Sequence, residues 1–129
     1  MPDQNLIDPH ALSRTKAHNR SVQLSTEDIT SELVRVLGRQ LLAFIVGKDP
    51  KSLSRWAAGT HSPKDREEKI LRNAYQVFAL LDPVESDHTI RAWFMGMNPQ
   101  LDDESPAEAL SEERFRDVAT AARSFVNGG

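Results

Sequence analysis

The chain has 129 residues, 39% of them apolar, with 16 Lys/Arg against 19 Asp/Glu and a formal net charge of −3. That length holds one domain, or two small ones sharing a core, and the apolar share is enough to fold it. No cysteine is present, which excludes disulfides and thiolate metal sites, and no apolar run reaches the roughly 18 residues of a bilayer span, so no membrane partner is expected.

Residues 1–24 carry Pro2, Pro9, scattered charge and no periodicity. They read as an adaptable arm whose cations are Arg14, Lys16 and Arg20. The start of the chain has neither a basic stretch nor an apolar one after it, so no secretory signal is expected and the protein is expected to be cytoplasmic. The glycosylation sequon at Asn19 is then a chance match. A first helix is predicted over Thr26 to Leu37, capped by Ser25, with Ile29, Leu33, Val36 and Leu37 at helical spacing. Gly38 ends it. A second runs from Arg39 to Val46 and is apolar nearly all round, which predicts burial. Gly47 stops it. A third starts sharply at Asp49-Pro50 and ends at Gly59, with Leu53, Trp56 and Ala57 on one face.

A fourth helix is predicted over Pro63 to Leu81, with Ile70, Leu71, Ala74, Val77, Phe78 and Leu81 as its stripe. A fifth covers Asp87 to Met97, with Ile90, Trp93, Phe94 and Met97 as its apolar set, and Asn98-Pro99 closes it. Ser105-Pro106, with Glu108 following, marks a short sixth helix with a capping box. A seventh covers Glu112 to Val126, with Phe115, Val118, Ala119, Ala122, Phe125 and Val126 on one face. No segment alternates like a strand. The fold class is therefore all-α, divided as an arm (1–24), a first helical unit (25–82) and a second (83–129).

The charge is uneven: residues 1–66 carry a net +3 and residues 67–129 a net −6. A basic front and an acidic back suit two different partners, and equally suit an ordinary solvated surface. Leu41 to Gly59 reads as two short helices joined by a glycine turn, the pattern of a helix-turn-helix. Its second helix offers Lys48, Lys51, Ser52, Ser54 and Arg55 toward a DNA major groove; Lys and Arg suit guanine edges or phosphates, and Ser is permissive. A plain helical hairpin with a solvated face has the same pattern. One such helix makes few phosphate contacts, so DNA binding would call for a dimer. The phase of Trp56 with Leu53 argues for the core over base stacking, and Trp93 reads as core or subunit contact. Catalytic patterns are absent. Gly47-Lys48 lacks the rest of a phosphate loop, the four histidines have no metal-ligand spacing, and Asp102-Asp103-Glu104 reads as a solvated loop. The chain is not expected to be an enzyme, nor to hold a metal or cofactor.

Leu42 to Gly59 resembles the Xre-like helix-turn-helix. Ala92-Trp93, Asn98-Pro99-Gln100-Leu101, Ser105-Pro106 through Leu110, Phe115, Val118 and Ala122-Arg123-Ser124-Phe125 together resemble the Xre/MbcA/ParS-like toxin-binding domain. The two resemblances cover residues 26–129. They imply an antitoxin of a type II toxin–antitoxin pair whose partner is a toxin of the Arg-Glu-Ser (RES) class acting on NAD. By that resemblance Trp93, Pro99 and Pro106 are scaffold, and Arg123, Ser124, Phe125, Asn127, Gly128 and Gly129 are the residues that close the toxin's NAD pocket. It also implies operator DNA as a partner, bound by a homodimer or a larger assembly with toxin. Two positions depart from the family pattern: Asp102-Asp103-Glu104 stands where glycine is usual, and Lys48 where a small or apolar residue is usual. The alternatives are a stand-alone helix-turn-helix regulator that dimerises through its C-terminal domain, and an adaptor without DNA binding.

Overall fold

A computed structural model describes residues 24–128. The expected arm, with Arg14, Lys16 and Arg20, lies outside the described residues, and so does Gly129. The described residues form helices α1 (Thr26–Leu37), α2 (Arg39–Val46), α3 (Pro50–Ala58), α4 (Asp65–Leu81), α5 (Asp87–Met95), α6 (Pro106–Ser111) and α7 (Phe115–Val126). A single 3-10 turn, Pro99–Leu101, lies between α5 and α6. No strand occurs among the described residues, and no helix is long and apolar enough to cross a membrane.

The first three helices follow their local signals. Ser25 accepts the amide of Asp28 at the start of α1, and Asp49 accepts that of Ser52 at the start of α3, with Pro50 in the first turn. Gly47 and Gly59 close α2 and α3 in the left-handed conformation that glycine adopts at least cost.

Three boundaries differ from the sequence reading. Helix α4 begins at Asp65, two residues after Pro63, because extended Lys64 is its N-cap and its amide is taken by the Glu67 carboxylate at 3.0 Å. Helix α5 ends at Met95, since Gly96 is already extended (φ −85°, ψ 153°). Helix α7 begins at Phe115. Ahead of it Glu113 turns left-handed (φ 62°), and the amides of Glu113 and Arg114 cap α6 on Leu110 and Ala109.

Burial shows where the elements meet. Helix α4 packs against α1, α2, α6 and α7, and α2 also packs on α6. The buried side chains form one cluster that runs from Ile29 in α1 through Phe78 in α4 to Ala122 in α7. The helices before and after Pro83 therefore share a core. Trp56 is in that core, as its phase suggested. Helix α2 is not buried all round: Leu42, Ala43, Ile45 and Val46 are inside, but Phe44 is 53% exposed. On α7 the buried face is Val118, Ala121 and Ala122, whereas Ala119 is only half-buried and Phe125 reaches solvent. In place of a helix-facing Met97, the extension at Gly96 carries that side chain outward to 78% exposure.

Candidate functional site

Two surfaces gather the residues singled out in the sequence. The first is the solvent face of α3 with its preceding turn. Lys48, Lys51, Ser54 and Arg55 are exposed there, and Ser52 is half-buried. Asp49 fixes the start of the helix. Its carboxylate accepts the Ser52 amide at 3.0 Å and the Ser52 hydroxyl at 3.3 Å. The backbone bond from Ser52 is the main reason its carboxyl titrates below the usual range. Ser52 is thereby occupied within the turn. Ser54 is occupied as well, because Arg39 of α2 donates to its hydroxyl at 2.9 Å. Among the described residues no ion pair engages Lys48, Lys51 or Arg55. The face thus presents three available cations, with Arg39 beside them. Arg39 lies ahead of the Leu41–Gly59 helix-turn-helix pattern, and only the fold shows that its side chain reaches Ser54.

The second surface is built where the end of α7 meets the end of α5. Phe125, 38% exposed, leans on Trp93 with ring centroids 6.2 Å apart, and Trp93 in turn sits edge-on against buried Phe94 at 5.4 Å. Met97 stands beside them. Two open grooves flank this ridge. One, of about 530 Å³, is lined by Glu85, Trp93, Met97, Pro99, Phe125 and Gly128 among others. The other, of about 300 Å³, is lined by Thr89, Ala92, Trp93, Gly96, Met97 and Phe125 among others. Of the C-terminal set, Arg123, Ser124 and Phe125 are helical residues of α7, and Asn127 is its C-cap. Gly128 is exposed with φ 85°, and Gly129 lies outside the described residues. Arg123 is exposed and donates within its own helix, to the Thr120 hydroxyl. Met97, Glu85 and Gln100 join the groove, although none of them was a candidate binding residue in the sequence. Met97 carried the signal of an apolar residue just past a glycine, which the helical pattern absorbed.

The chain is similar to a probable mycobacterial cidal antitoxin, Rv3188, of Mycobacterium tuberculosis. The two are 25% identical over 87 residues, which covers 67% of this chain and 74% of that protein. No family model matches the chain, and no solved structure matches it significantly.

Between the ridge and α6 lies the acidic loop. Asp102 and Asp103 both adopt left-handed backbone (φ 58° and 66°). That is the conformation glycine takes most cheaply, and Asp, with its short polar side chain, is among the few other residues that enter it readily. The loop is a folded element. Asn98 caps the turn through Gln100, and the Asn98 amide and carbonyl bond to Glu104 and Asp103. Arg114 spans the acids, reaching Glu104 at 2.9 Å, Asp102 at 3.3 Å and Asp117 at 3.1 Å. Its guanidinium occupies the place where a cation would otherwise be drawn.

One carboxylate pair is left in conflict. Glu112 titrates above its ordinary value because it shares a hydrogen bond with Glu104, with desolvation and the Glu104 charge adding to the effect. A raised carboxyl favours the fold below the ordinary glutamate range and loses that contribution as pH rises through its titration. The Glu112 charge is therefore held at a cost beside Glu104, which the Arg114 charge only partly offsets. Glu112→Gln is expected to raise the melting temperature at pH 7, and the gain should vanish as the pH is brought below about 4.5. Thermal scans of both proteins across pH 3.5 to 8 check it. A gain that persists unchanged in acid contradicts the pairing.

Proposed function

We propose that this chain is an antitoxin that captures its toxin on the Trp93–Met97–Phe125 ridge. The similarity to a cidal antitoxin carries the reading. The ridge supports it physically: small folded proteins rarely leave Trp, Met and Phe side chains together at the surface unless another protein covers them. The toxin it captures belongs to the RES class. Phe125 and Arg123, with Ser124, Asn127, Gly128 and Gly129, close its NAD cleft by filling it, without chemistry. The shared core supports that role. Helix α7 is anchored through Val118, Ala121 and Ala122, so little ordering entropy is lost when its end is presented to a partner.

The α3 face suits operator DNA in this reading, making the antitoxin a repressor of its own promoter. Lys48, Lys51 and Arg55 are the contacts, and two copies are needed for useful affinity. Co-expression of the adjacent gene with and without this one tests the reading. Growth arrest and NAD loss should appear only without this chain, and equal growth and NAD in both cultures overturns it. The available cations of α3 also favour a second reading, a stand-alone DNA-binding regulator. In that case Phe125→Asp leaves every phenotype unchanged while Lys51→Ala with Arg55→Ala removes it.

A further inference from the structure

Met97 is the most exposed large apolar side chain among the described residues, and it lines both grooves beside Trp93 and Phe125. The chain has no cysteine and three methionines. No thiol competes for an oxidant, and within residues 24–128 only Met95 and Met97 offer sulfur. Met95, 57% exposed, lines neither groove. Among the described residues, the only sulfur placed in the ridge is thus also the one most open to solvent.

From this we infer that Met97 is an oxidation site through which hydroperoxides loosen the grip of the ridge on its partner. The inference rests on the docking role proposed above. The thioether sulfur attacks one oxygen of hydrogen peroxide, an S–O bond forms as the O–O bond breaks, and the departing hydroxide takes the remaining proton to leave as water. Sulfur loses two electrons and the peroxide gains them. The product is a sulfoxide, polar and a strong hydrogen-bond acceptor, in the grooves that Trp93 and Phe125 also line, on a surface that must shed water to bind. Because Met97 stands outside the core, the fold itself should be untouched, and reduction of the sulfoxide by methionine sulfoxide reductase should restore binding.

The test oxidises the purified chain alone with hydrogen peroxide, removes the peroxide with catalase, and measures binding to the adjacent gene's product by calorimetry. Mass spectrometry reads conversion at each methionine, and circular dichroism monitors the fold. Treatment is expected to weaken binding by about tenfold or more. The loss should be the same in Met95→Leu. It should be absent in Met97→Leu, whose affinity before and after treatment should agree. Full conversion of Met97 with unchanged affinity overturns the inference, and so does an equal loss in Met97→Leu. If the untreated chain does not bind at all, or if Phe125→Asp binds as well as the wild type, the docking role itself has failed.

Discussion

Phe78→Ala is expected to cost about 3–5 kcal/mol and to bring forward the unfolding of both halves of the chain together. Phe78 is fully buried, and its ring lies 5.6 Å from that of Tyr75 on the same helix. Helix α4 carries both, and it is packed against α1 and α2 on one side of Pro83 in sequence and against α6 and α7 on the other. Removing the ring leaves a cavity that neither half can close alone. A domain of this size has only about 5–15 kcal/mol in total, so the loss takes a large fraction of it. The two tryptophans provide the readout, with Trp56 on α3 before Pro83 and Trp93 on α5 after it. Fluorescence of Trp56→Phe and Trp93→Phe variants in urea isolates each half. Coincident transitions, shifted together by Phe78→Ala, follow from a shared core. Separate midpoints, with only one moved, contradict it.

Lys51→Ala combined with Arg55→Ala is expected to weaken operator binding by about 10²-fold or more and to flatten its salt dependence. Both cations are exposed, and among the described residues no ion pair engages either. Nothing in the fold should respond, because neither side chain is buried. Lys51 and Arg55 are four residues apart on one helix face, so they reach a groove together. Ser54 is expected to matter less, since Arg39 already holds its hydroxyl. Electrophoretic mobility shifts on the chain's own upstream DNA across a salt series check this. Equal affinity of the double variant and the wild type would remove DNA from the proposed role of α3.

What could be read from sequence was what local chemistry decides. Ser25, Asp49-Pro50, Gly47 and Gly59 mark helix ends through their own backbone preferences, and the structure has those ends where the residues put them. The capping box of Ser105 and Glu108 is also present, with both bonds made. Boundaries failed where no marker residue exists or where two compete. Glu113 turns left-handed without being glycine, and Pro63 offered a false start ahead of the Lys64–Glu67 cap. Periodicity could not choose which side of α2 faces out, because that segment is apolar at every position from Leu41 to Val46. Contacts with α6 and α3 decide it and leave Phe44 outside. The cations of α3 were legible as an exposed helical face. The ridge was not, because it joins α5, the extended segment after it and the end of α7, and Met97 looked like one more core position.

Calorimetric titration of the purified chain with the protein encoded beside it tests the antitoxin reading most directly, using wild type, Phe125→Asp, and Lys51→Ala with Arg55→Ala. The expected result is tight binding by the wild type and the double variant, with at least about 100-fold weaker binding by Phe125→Asp, which puts a charge against Trp93 at the centre of the ridge. Binding that ignores Phe125→Asp, or no binding by the wild type, would contradict capture on the Trp93–Met97–Phe125 face.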